Sequence, residues 1–261
     1  MSLKGLFMPT PAKALFSPSP QAAFTDREAP QQYFQQALAD INQCDFSLLN
    51  FYGVGGIGKS RLHRHLQEAH LEADKNYLYS GVNFEAPENR NLHKTLTTLV
   101  HNFKGGTNIP FVAFGLAYMI YWEKAFPYQD IKKAGLPFLE EGGLLAGVAD
   151  IFAGGILSPI VGAAGYFYDK FKAYTFSDDL RNALNQLASL ESNQIEEQLP
   201  NYFAYDIQQY QQKHPNKKIV IFIDTHEALW EDKRTEANRL SQDKWLRDGL
   251  IARLPKVYLS M

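Results

Sequence analysis

Residues 53 to 60 read Gly-Val-Gly-Gly-Ile-Gly-Lys-Ser, and no other stretch restricts the fold of this chain as tightly. The pattern is glycine, four residues, glycine, lysine, then serine or threonine. Its glycines let successive backbone N–H groups turn inward around an anion. The loop then feeds a helix start, whose partial positive charge favours phosphate. Lys59 can reach β- and γ-phosphates, and the Ser60 hydroxyl can ligate Mg²⁺. Gly53, Val54, Gly55, Gly56, Ile57, Gly58, Lys59 and Ser60 are therefore candidate nucleotide-binding residues. Arg61 follows directly and joins that set, although its side chain, like that of Arg64, reads as solvated.

The flanks suit such a loop. Phe46 to Tyr52 reads as a short buried strand before it. Lys59 to Leu71 reads as a helix after it, with Leu62, Leu66 and Ala69 on one face. Upstream, Asp26 can cap a helix through about Asp40, with Tyr33, Phe34, Leu38 and Ile41 at helical spacing. Downstream, a strand is expected over 77–84 and a helix over 91–103. Helical patterns return over 178–190 and 196–212. A continuous apolar run, Ile219 to Ile223, suits the centre of a parallel sheet. Residues 243–254 read as helical, and Val257 opens one more strand. This alternation predicts an α/β fold, a three-layer P-loop NTPase with a parallel sheet and a mostly helical apolar insertion. The expected organisation is a flexible leader (1–23), a first NTPase part (24–104), the insertion (105–176) and a second NTPase part (177–261). The leader carries Pro9, Pro11, Pro18 and Pro20 and no apolar run of secretory length.

A second constellation sits at the end of that apolar run. Asp224 is delivered to a strand's carboxyl end, the edge of open α/β sheets where ligands bind. A carboxylate there can hold Mg²⁺, usually through water. Ser60 and Asp224 are the candidate metal ligands. Three residues on, Glu227 can orient or deprotonate an attacking water. A solvated residue at a helix start is the rival reading of Glu227. His226 lies between them and reads as structural rather than catalytic. Lys59, Asp224 and Glu227 form the candidate catalytic set.

Three segments together resemble the STAND ATPases, the group that includes the NB-ARC and NACHT signalling switches. One is the loop from Gly55 to Ser60 after Asn50-Phe51-Tyr52. Another is Phe24-Thr25-Asp26-Arg27-Glu28, which resembles the group's adenine-side segment with Asp26 in place of its glycine. The last is Asp224-Thr225-His226-Glu227. The resemblance implies ATP or ADP with Mg²⁺ as ligand, with Phe24 and Arg27 on the adenine side. No Asn-Lys-x-Asp pattern for guanine is visible, since Ile219 follows Asn216-Lys217-Lys218. It also implies protein partners or self-assembly. Arg234, Arg239 and Arg247 could serve as arginine fingers in an assembly, with ordinary surface contacts the favoured reading of each. In the group, the strand begun by Val257 precedes a polar sensor, often arginine, and further domains; this chain ends first and reads as truncated. An ATP-dependent signalling switch is the leading expectation. A nucleotide-binding interaction module without turnover is its first alternative.

The second alternative comes from the middle of the chain. Residues 111–122 are almost wholly apolar, and 142–168 carry one charge, Asp150. The latter stretch is long enough to span a bilayer. Asp150 near its centre costs about 2.5–3.5 kcal/mol on insertion scales, and Pro159, Gly154 and Gly155 break a single helix. Packing on the ATPase core is the favoured reading, nucleotide-controlled membrane contact the other. Tyr118, Trp122 and Phe126 at helical spacing read as core. With a net charge of −2, nothing draws the chain to nucleic acid. The lone Cys44 forbids an internal disulfide, and a cytoplasmic location is expected.

Overall fold

The computed structural model describes residues 27–40, 47–51, 53, 56–103, 109–129, 177–235, 242–254 and 257–260. The leader, Phe24, Val54, Gly55, Arg239 and the 142–168 stretch lie outside the described residues. The chain runs α1 (Glu28–Asp40), β1 (Ser47–Leu49), α2 (Lys59–His70), β2 (Tyr77–Asn83) and a 3-10 turn (Pro87–Arg90). It continues through α3 (Leu92–Asn102), α4 (Val112–Ala125), α5 (Asp178–Ala188), α6 (Ser192–Lys213) and β3 (Lys218–Asp224). A 3-10 segment (His226–Thr235), a π-helical segment (Trp245–Leu250), a 3-10 turn (Ile251–Arg253) and β4 (Val257–Ser260) follow.

The four strands form a small parallel sheet in the order β1-β4-β3-β2. The registers place Leu49 opposite Ser260, Ser260 opposite Phe222, and Asp224 opposite Asn83. All carboxyl ends therefore meet at one edge, the edge onto which the glycine loop opens. β3 is buried throughout its centre because helices cover both its faces. Val220 and Phe222 pack with Tyr79 of β2 against Phe34 and Leu38 of α1 and Leu62 and Leu66 of α2. Ile219, Ile221 and Ile223, one residue out of phase, pack with Leu78 and Val82 against α3, α4 and α6. Period-two alternation thus serves two apolar layers at once, which is why the strand reads as an unbroken apolar run.

The wholly apolar 111–122 segment is the heart of the second layer. Every residue of α4 from Val112 to Trp122 is buried. The helix shares its cluster with β2 and β3, so it is core rather than appendage. Tyr118 stacks on Trp122 (6.1 Å) and Trp122 meets Phe126 at a tilt (4.4 Å), as the aromatic spacing predicts. At fourteen residues α4 is ~21 Å long, short of the ~30 Å of a bilayer core. Among the described residues no helix is long and apolar enough to cross a membrane.

α4 begins in an unusual way. Its cap residue, Phe111, is left-handed (φ 40°) and supplies no side-chain cap. Asp206 of α6 takes over that task. Its Oδ1 accepts from Ala113 N (3.1 Å) and its Oδ2 from Phe114 N (2.8 Å), with Val112 N adding a third donor. Asp206 is 3% exposed. Burial pushes its carboxyl up to about 7, against the pull of the three amides.

Three elements depart from the sequence expectation, the first being β1, which is only Ser47–Leu49 and, as an edge strand, leaves Leu48 47% exposed instead of buried. α6 starts at Ser192 instead of 196, because Glu191 and Gln194 form a reciprocal capping box. The helix also tolerates Pro200 in its interior. Residues 243–254 do not form one α-helix. The Asp243 carbonyl accepts from both Leu246 N and Arg247 N, and Arg247 Nε is tied back to the Asp243 carboxylate. With Gly249 inside, the segment relaxes into a π turn and a 3-10 turn.

Candidate functional site

The loop's conformation explains its glycines. Gly56 (φ 79°) and Gly58 (φ 91°) are both left-handed, where a Cβ is strained. Gly58 is also the cap residue of α2 and offers no side chain to the first-turn amides. No acidic residue occupies that turn. Its N–H groups and partial positive charge are thus left for an anion.

Lys59 bends back over the loop. Its Nζ donates to the Gly53 carbonyl (3.0 Å) and stands 3.4 Å from Glu227 Oε1. This brings the first residue of the loop, its lysine and the candidate acid within one small volume. Glu227 reaches Lys59 because the chain reverses at Thr225, which is left-handed at φ 56°. Asp224 Oδ1 accepts from Thr225 N (2.9 Å), and the Thr225 carbonyl accepts from Ala228 N (2.9 Å). A β-branched residue held there stores roughly 1–3 kcal/mol, a signature of functional turns.

Asp224 and Ser60 line the same polar cleft, so the two candidate metal ligands share a space. One carboxylate and one hydroxyl suit Mg²⁺, which keeps its waters and takes further oxygens from substrate phosphates. Among the described residues no group of three His, Cys, Asp or Glu side chains converges to hold a metal unaided. His63 of α2 lies beneath this point, edge-on to Phe222 (5.4 Å) and Phe51 (6.0 Å). Burial lowers its pKa, partly opposed by Asp224.

On the other side of the loop, Arg27 at the start of α1 donates to the Ile57 carbonyl. A pocket of about 250 Å³ opens there, lined by Arg27, Tyr33, Asn50, Phe51 and Ile57 among others. Tyr33 is 58% and Ile57 46% exposed, so two large apolar surfaces face this space. Arg61 is exposed.

Sequence reasoning missed Asp243. It is 1% exposed and gathers three donors around its carboxylate. His226 Nε2 lies 3.1 Å from Oδ2, off the ideal hydrogen-bond direction. Trp230 Nε1 donates at 3.4 Å and Arg247 Nε at 3.0 Å. The His226 ring stands edge-on to Trp230 (5.2 Å). Burial lowers the His226 pKa, and Asp243 opposes that shift. Arg247 is thereby committed to an internal contact and is a poor arginine finger. The available signal was an acidic residue inside an otherwise amphipathic stretch, which alone does not announce burial. No protein family, curated protein or solved structure matches the chain.

Proposed function

We propose that this chain is the ATP-binding core of a STAND-like signalling ATPase, built as a three-layer P-loop NTPase. The observation that carries the reading is the meeting of Lys59, the loop and Glu227, with Lys59 Nζ 3.4 Å from Glu227 and 3.0 Å from Gly53 O. Backbone N–H groups from Gly55 to Ser60 hold the phosphates, and Lys59 neutralises charge developing on them. Ser60 and Asp224 would hold Mg²⁺, which would supply positive charge to the phosphates. Glu227 takes a proton from the attacking water. Adenine lies in the pocket beside Arg27, with Tyr33 and Ile57 offering apolar surface to its ring. Helices on both faces of the sheet support the three-layer assignment. So does the sheet order, because β4 ends between the loop strand and the acidic strand. In the STAND group a polar sensor follows that strand.

ATP titration of the Lys59→Ala variant tests the assignment. Affinity is expected to fall at least ~30-fold, the worth of one or two charge-assisted contacts. Unchanged affinity sinks the reading. A second reading, nucleotide binding without turnover, is favoured by the same ion pair, since it spends the Glu227 carboxylate on Lys59. Turnover by the parent chain beside Glu227→Gln separates the two. If the parent turns over and Glu227→Gln binds without doing so, Glu227 is the base. If the parent only binds, the second reading stands.

A further inference from the structure

Asp224 and Ser60 occupy one end of a cleft of about 480 Å³, larger than a phosphate tail and a water require. A water takes ~30 Å³. Sites for small organic ligands are typically ~300–1,000 Å³. The cleft leads away from the Arg27 pocket, past the acidic strand and along β2. Its wall is one face of α2, where Ser60, Arg64 and Gln67 line the space. Arg64 stands ~6 Å along the helix from Ser60.

The opposite wall is a fixed amide frame. Asn102 Nδ2 donates to the Gly81 carbonyl (2.9 Å), and Asn83 Oδ1 accepts from Glu85 N (2.8 Å). Asn89 ties the Asn83 backbone to α3, donating to the Asn83 carbonyl (2.9 Å) and accepting from Thr98 Oγ1 (2.9 Å). These bonds set the rotamers of Asn83 and Asn102 and still leave an NH₂ on one and a carbonyl oxygen on the other. Such a pair reads a hydroxyl, which both donates and accepts.

The charge pattern selects the rest of the ligand. Arg64 has no ion pair among the described residues, and Asp224 is the one carboxylate that lines the cleft. A cation would meet Arg64 uncompensated, whereas an anion gains a fork of donors. We propose that this cleft is a second binding site, for a small polyol carrying one phosphate or carboxylate. Arg64 holds the anionic group, Asn83 and Asn102 hold hydroxyls, and the far end of the ligand faces Asp224. The proposal rests on the nucleotide reading only for what lies beside that end.

Glycerol 3-phosphate is the probe, followed by NMR of the backbone amides and of the Asn and Gln side-chain amides, with glycerol and inorganic phosphate as controls. It is expected to shift the Asn83 and Asn102 signals saturably at millimolar concentration, more tightly than either control. Arg64→Ala should weaken it ~10-fold or more, a loss of ~1.4 kcal/mol. The same binding should persist in Lys59→Ala, so failure of the loop and failure of the cleft are read separately. Absence of a saturable shift at those amides overturns the proposal. So does a shift confined to residues 56–60 and displaced by ATP, which assigns the phosphate to the loop.

Discussion

The carboxyl edge of the sheet and the α4–α6 layer obey opposite rules. In α4 eleven consecutive residues are buried, and the buried carboxyl group that meets them, Asp206 of α6, is satisfied by three backbone donors. At the edge, Lys59 and Glu227 are 18% and 35% exposed and Gly56, Gly58 and Thr225 are left-handed. In the layer the Asp206 carboxyl group is spent on backbone donors, while the edge holds donors and charges that an outside group can use. Backbone strain does not separate the two, since Phe111 is left-handed in the layer as Thr225 is at the edge; burial and exchangeable charge do.

The largest expected effect lies in the layer. Asp206→Ala leaves the first-turn amides of α4 buried without an acceptor, at a cost on the order of 3–5 kcal/mol. Denaturant unfolding measures it, and a loss below about 1 kcal/mol would show that α4 does not depend on this cap. The pH dependence follows from the raised pKa of about 7. A folded-state value above the unfolded ~3.9 means the native state binds the extra proton. This contribution to stability is complete below pH ~4 and is lost as pH rises through ~7. Asp206→Asn should flatten the stability profile across that window while leaving the edge residues untouched.

Asp243 joins the two regimes, because its buried carboxylate holds residues of the edge loop. Asp243→Ala strands the buried ends of His226 and Trp230 and frees Arg247, costing roughly 2–4 kcal/mol. Hydrogen exchange at the Ala228 amide, bonded to Thr225 O (2.9 Å), should accelerate. Unaltered exchange there would separate Asp243 from the acidic loop.

Much of this was legible in the sequence, for identifiable reasons. The loop declares itself because backbone geometry demands glycine at fixed spacings. β3 declares itself because two apolar layers leave no polar position in it. Tyr118, Trp122 and Phe126 were legible as core by period alone. What stayed hidden depends on tertiary partners. Asp206 and Asp243 look like solvated helix residues until other elements deliver N–H groups to them. The capping box at Glu191 uses glutamate where serine or threonine is the usual signal. The pairing of Lys59 with Glu227 depends on a left-handed threonine that no propensity foretells.

A smaller effect is expected from the loop's own strain. Gly58→Ala puts a Cβ at φ 91°, about 1–2 kcal/mol above its relaxed conformation. The nearest atom to that Cβ is Arg27 Nη2 at 3.8 Å, so space is not the obstacle. Global stability should therefore fall by no more than this strain, while ATP affinity falls further, because the amides of the α2 start lose their orientation. Calorimetric titration beside thermal unfolding checks the split. Equal losses in both would mean the loop is scaffold rather than site.

The smallest expected effect sharpens the comparison most. The Lys59–Glu227 pair is partly solvated, so its own worth is ~0–1 kcal/mol. Lys59 already turns its ammonium toward Gly53 O and Glu227, which leaves one of its three N–H donors, so a phosphate that takes more than one competes with the carboxylate. Glu227→Gln removes that competitor, and ATP affinity should rise about two- to five-fold with unfolding stability unchanged within ~0.5 kcal/mol. Added salt screens the pair and should narrow the gap between parent and variant. A fall in affinity would mean Glu227 positions Lys59 for the phosphate instead of withholding it. In that case the edge, like the layer, would be organised by contacts it keeps rather than by contacts it can exchange.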